Sequence, residues 1–148
     1  MDDIYQYTFT RTKVSDVTVT IRGPQDSLGI AQALIQPDTR EDEALAVLLM
    51  DTKNHVIGTE IVGTGGTNSV VVRVAQLFRA AVRLNAVSII LVHNHPSGDP
   101  TPSPDDLHLT AECIAAGRLL DIAVLDHIVL GADGAYASLR DRGVTFAR

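Results

Sequence analysis

The sequence predicts an α/β fold, a single-domain sandwich with a mixed central sheet flanked by helices. Three observations predict it. Short, nearly continuous apolar runs at residues 44–50, 88–92 and 122–130 read as strands buried on both faces. Segments with helical spacing of apolar residues alternate with them along the chain. The chain has 148 residues, 45% hydrophobic and 20% charged, which suits one core and leaves little room for a second.

From the N-terminus, residues 5–12 and 17–21 alternate apolar and polar side chains, as half-buried strands do. They form an N-terminal strand extension over 1–20, with the core of the domain at 21–146 and one domain over 1–148. Residues 24–35 read as a helix, with Leu28, Ala31, Leu34 and Ile35 at helical spacing and Gln36-Pro37-Asp38 as the stop. After the strand at 44–50, Asp51-Thr52-Lys53-Asn54 turns the chain into a second strand over 56–62. Residues 63–68 read as a flexible loop, because their glycines match neither phosphate-loop spacing.

A helix over 69–84 places Val71, Val74, Ala75, Phe78 and Val82 on one face, with Gln76, Arg79 and Arg83 on a solvated opposite face. The strand at 88–92 ends in His93-Asn94-His95 and a proline-rich loop. A helix over 105–120 follows, then the strand at 122–130, an Asp133-Gly134 turn and a last strand at 136–139.

Twelve basic against eighteen acidic residues give a net charge of −6. That disfavours a nucleic-acid coat, which draws its affinity from Lys and Arg on phosphates. Cys113 is the single cysteine, so no intramolecular disulfide forms, and its setting suits a buried apolar side chain better than a nucleophile. With neither a leader pattern nor a bilayer-length apolar run, the expected location is cytoplasmic and the expected partners exclude a membrane.

The chemistry concentrates between residues 93 and 106. On a strand, His93 and His95 project to one side and Asn94 to the other, which makes half of a zinc site. Four prolines (Pro96, Pro100, Pro102 and Pro104) stiffen the loop that follows. Ser103 then serves as N-cap, Pro104 as the first helical residue, and Asp106 falls at the third helical position. Asp105 and Asp106 complement the helix dipole in any case, and a carboxylate can cap and bind metal together. Asp99, inside a tight turn beside His95, is a weaker rival ligand. Two histidines and one carboxylate leave a fourth zinc position for water, the catalytic pattern, and lower that water's pKa to about 7. A proton acceptor is then needed. Glu60 is the candidate, near the end of its strand on the face opposite Ile57 and Ile61.

Glu60, the His93-x-His95 pair, Ser103 and Asp106 resemble the motif of the JAB/MPN+ (JAMM) zinc metalloprotease family. The wording from His93 to Ser103, together with residues 49–54, 60–64 and 125–131, resembles its RadC-like branch. The resemblance implies a cytidine-deaminase-like fold, Zn2+ on His93, His95 and Asp106, Glu60 as acid/base and Ser103 as an oxyanion helper. It also implies cleavage of peptide or isopeptide bonds, with a protein, peptide or ubiquitin-like conjugate as substrate. A DNA-repair or nucleic-acid-processing role is the alternative attached to the RadC-like branch. The first twenty residues are too short for the helix-hairpin-helix region of full-length relatives, which weakens that alternative. A metal-free MPN scaffold is a third reading, opposed by the complete residue set. Base deamination is excluded, since its Pro-Cys-x-x-Cys element needs two cysteines. Asp126 and His127 read equally as a hydrogen-bonded structural pair or as support for the ligands.

Overall fold

The apolar runs do form the middle of a sheet. In a computed structural model, which describes residues 3–65 and 72–146, the elements are α1 (Pro24–Ile35), a short 3-10 turn (Pro37–Thr39), β1 (Glu43–Met50), β2 (Val56–Gly65), α2 (Val74–Leu84), β3 (Ser88–Asn94), α3 (Pro104–Leu120), β4 (Ala123–Leu130) and β5 (Tyr136–Ser138). The five strands lie in the order β2-β1-β3-β4-β5. Only β3 and β4 are parallel, joined across α3; the other neighbours are antiparallel. Every residue of β1 and β3 is buried, as continuous apolar runs require when helices cover both faces.

Alternation along these strands sorts two cores. Ala44, Ala46, Leu48 and Met50 face α1, where they meet Ala31, Ile35, Ile90, Val92, Ile128 and Leu130. Leu45, Val47 and Leu49 face the other way, toward Leu77, Phe78 and Ala81 of α2 and Cys113 and Ile114 of α3. Cys113 is fully buried, and burial pushes its thiol up to about 12, in keeping with a structural side chain. No helix among the described residues is long and apolar enough to cross a membrane.

α3 returns to the sheet through a close approach. A Cβ on Gly117 would stand 2.3 Å from the Ile122 carbonyl oxygen. Gly117→Ala should therefore cost about 1–3 kcal/mol, read as a lower urea midpoint. Gly29→Ala, where no atom lies within 4 Å of the new Cβ, should lose nothing.

Four expectations need correction. Residues 3–19 form no strand; Tyr5, Tyr7 and Phe9 are 68%, 77% and 59% exposed, and Thr20 alone bridges to His55. Alternation produces a strand only where a sheet edge accepts it, and here the β2 edge is reached only at the end of the segment, where the Val19 carbonyl accepts from the Val56 N–H. The helix expected from residue 69 starts at Val74; residues 66–71, Val71 among them, lie outside the described residues. Its buried face is Leu77, Phe78 and Ala81, while Val82 is 55% exposed. Arg79 and Arg83 are exposed, as expected of a solvated face, and each makes one contact there: Arg79 pairs with Glu60, and the Arg83 guanidinium stacks 3.5 Å from the centre of the Phe9 ring. Finally, Gly63–Gly65 continue β2 instead of opening a loop; the rest of the expected loop is likewise outside the described residues.

Candidate metal centre

Three strand and helix ends meet at one edge of the α2/α3 face. Leu45 of β1 is in register with His93 of β3, so Glu43, two residues earlier on the same face, falls beside His95. Asn94 points to the opposite face, as alternation requires. Its Oδ1 accepts from the Ala44 N–H at 2.8 Å and its Nδ2 donates to the Asp42 carbonyl at 3.0 Å. These buried bonds strap the backbone on both sides of Glu43 to the end of β3, which fixes where that carboxylate points.

His95 lies just past β3 and donates its N–H to Leu130. The loop beyond it folds tightly: Gly98 has φ +88, and its carbonyl accepts from the Ala132 N–H. The Asp99 carboxylate binds the Thr101 N–H and hydroxyl at 2.9 and 2.7 Å, so this rival ligand holds its own turn. Its carbonyl oxygen instead accepts from His95 Nδ1 at 2.9 Å, which leaves Nε2 of that ring facing inward.

α3 begins as the sequence pattern predicts. The Ser103 hydroxyl oxygen accepts from the Asp106 N–H at 3.1 Å, and Asp106 Oδ2 accepts from the Ser103 N–H at 2.8 Å, completing a capping box. The Asp106 carboxylate serves the cap and the cluster at once. Its Oδ1 is 3.1 Å from His93 Nε2, its Oδ2 is 3.0 Å from His95 Nε2, and the two Nε2 atoms are 2.9 Å apart. The Glu43 carboxylate stands 3.6 Å from His93 Nε2. Donor atoms of Glu43, His93, His95 and Asp106 all fall within 4.8 Å of one another, so these four residues could hold a metal ion.

The electrostatics of the cluster divide its carboxylates. Burial acts to raise Asp106, but hydrogen bonds from His93, His95 and the Ser103 N–H prevail and hold it well below the usual carboxylate range. Glu43 moves the other way. Burial raises it, and His93 offsets only part of the effect. His95 is raised, chiefly through its hydrogen bond to Asp106. One carboxylate is thus held as an anion while its neighbour is biased toward holding a proton.

Glu60, expected as the acid/base, is not brought to this cluster. It lies in β2 opposite Val47, which is level with Leu91 rather than His93, and β1 separates it from the histidine strand. Its carboxylate is bound to the Arg79 guanidinium of α2. The cluster's second carboxylate beside Asp106 is instead Glu43, a residue outside the expected site. Its signal is a glutamate aligned by alternation with Leu45, Val47 and Leu49 on a face that is otherwise apolar.

Asp126 and His127 part company. Asp126 Oδ1 accepts from the N–H groups of His127 and Arg140, and Oδ2 from the Ser138 hydroxyl, which ties β4 to the segment around β5. The His127 ring faces the cluster instead, with Nε2 at 2.7 Å from His93 Nδ1. Burial holds it well below the ordinary histidine value, so it stays neutral.

Known sequences place this arrangement. The RadC-like JAB domain matches residues 21–144. A UPF0758 protein of Roseiflexus castenholzii is 48% identical over 128 residues, 86% of this chain and 54% of that protein. One from Chloroflexus aggregans is 45% identical over 126 residues, 85% and 54% of the two chains. One from Methanosarcina mazei is 40% identical over 134 residues, 89% and 56%. The chain therefore spans about half the length of the curated relatives it matches.

Proposed function

Since the chain belongs to the RadC-like JAB domain family and gathers this donor set, we propose that it is a zinc-dependent hydrolase acting on peptide or isopeptide bonds. The observation that carries the reading is the convergence of His93 Nε2, His95 Nε2 and Asp106, with a second carboxylate beside them. Ligand atoms 2.0–2.1 Å from a tetrahedral zinc ion stand about 3.3 Å apart. The separations here, 2.9–3.1 Å, need only slight opening to admit it. A zinc ion so held would polarise a substrate carbonyl and lower the pKa of a water to about 7.

Glu43 is the chain's own acid/base in this reading. It stands a little farther from His93 than Asp106 does, and burial favours its protonated form. In its ionised form such a group takes a proton from water, its raised proton affinity lets it hold that proton, and it then returns it to the departing amine. Ser103 keeps its hydroxyl oxygen on the Asp106 N–H, which leaves the hydroxyl proton free to support a developing oxyanion.

One carboxylate base beside one small donor set suits attack on a planar amide. In-line phosphodiester cleavage often uses two metals about 3.5–4 Å apart. Purified zinc-loaded protein offered isopeptide-linked conjugates and DNA should cleave the amide substrates alone. Zinc-dependent DNA cleavage that vanishes in Glu43→Gln, without amide hydrolysis, would replace this reading with a nucleic-acid-processing one.

A further inference from the structure

The cluster is backed by a buried chain of hydrogen bonds whose direction the geometry decides. Thr110 and His127 are both fully buried, one on α3 and the other on β4. The Thr110 hydroxyl oxygen is 2.7 Å from the Asp106 carbonyl oxygen and 2.6 Å from His127 Nδ1. A threonine hydroxyl has one proton, and a backbone carbonyl can only accept. The proton therefore lies toward Asp106, because two oxygen lone pairs at that distance would repel. The hydroxyl oxygen must then accept from His127, which places the His127 proton on Nδ1. Its Nε2 is left as an acceptor, 2.7 Å from His93 Nδ1, so the His93 proton sits on Nδ1 too.

We propose that Thr110 and His127 are positioning residues that fix the tautomer of the neutral His93 ring: once the Nε2 proton it gives Asp106 in the metal-free cluster is lost, Nδ1 keeps its own and Nε2 enters the cluster as a bare lone pair. The inference rests on the metal-site reading for its purpose, though not for its geometry. The chain runs from the backbone of one ligand, Asp106, to the ring of another, His93, and so couples the start of α3 to the end of β3. His95 is set up in the same way by a shorter route: the Asp99 carbonyl holds its Nδ1 proton, so the proton it gives up is the one on Nε2 toward Asp106. Reversing the chain would put a proton on His93 Nε2, where a metal would have to displace it.

Nitrogen-15 NMR of the histidine rings in metal-free protein reads the tautomers directly. The expected result is protonation at Nδ1 in the neutral rings of both His93 and His127. A proton on Nε2 of His127 in the wild-type chain would overturn the proposal with no variant required. Thr110→Val keeps the shape and removes the hydroxyl; it should mix the His93 tautomers and weaken zinc binding roughly 10–100-fold in a chelator competition. Thr110→Ser should restore both. Unchanged tautomers and affinity in a folded Thr110→Val protein would show that the relay has no hold on His93. If the wild-type chain bound no zinc, the metal reading would fail, and the ring tautomers would still decide the relay.

Discussion

Glu43→Gln is expected to keep its metal and lose roughly 10²–10⁴-fold in amide hydrolysis. The substitution preserves the side-chain shape and removes the proton acceptor beside the cluster. The Asn94 bonds that flank residue 43 are made by backbone atoms of Asp42 and Ala44, so the local fold stays in place. Glu60→Gln is the informative partner. It breaks the pair with Arg79, which lies on a partly exposed surface, and should change hydrolysis little. Rates of both variants at matched zinc content separate the two carboxylates. A large loss in Glu60→Gln with an active Glu43→Gln would restore Glu60 as the base.

Asp106→Ala is expected to be the most damaging change at the cluster, because one carboxylate has two tasks. Its removal deletes a ligand and the bond from the Ser103 N–H. The cap loss is about 1 kcal/mol. The metal loss is larger: an ion at a hundred times its dissociation constant stabilises the fold by about 2.7 kcal/mol. For a domain of this size that corresponds to a rise of about 5–10 °C in Tm. Zinc should therefore raise the Tm of the wild-type chain and leave that of Asp106→Ala unmoved. Ser103→Ala, which loses a cap bond alone, should start from a lower Tm and still respond to zinc.

The parts of this molecule legible in its sequence are those set by local pattern. Residues 44–50, 88–92 and 122–130 are apolar at nearly every position and became strands covered on both faces. Ser103, Pro104 and Asp106 hold the cap positions that their chemistry predicts. His93 and His95 share a face because a strand has a period of two. The acid/base was less legible, because choosing between Glu43 and Glu60 depends on register across three strands. β1 lies between β2 and β3, which puts Glu60 level with Leu91 and brings Glu43 to the histidines. A strand read as starting at Ala44 also hid the glutamate at its first position. The alternation at residues 5–12 misled for a related reason: it reports a two-sided segment and says nothing of whether a neighbour covers one side.

Elemental analysis of protein purified without added metal tests the central claim most directly. The account predicts one zinc ion per wild-type chain and little or none in His95→Ala, which removes one of the converging Nε2 atoms. A wild-type chain that carries no zinc and takes up none on dialysis, or a folded His95→Ala chain with the wild-type zinc content, would contradict it.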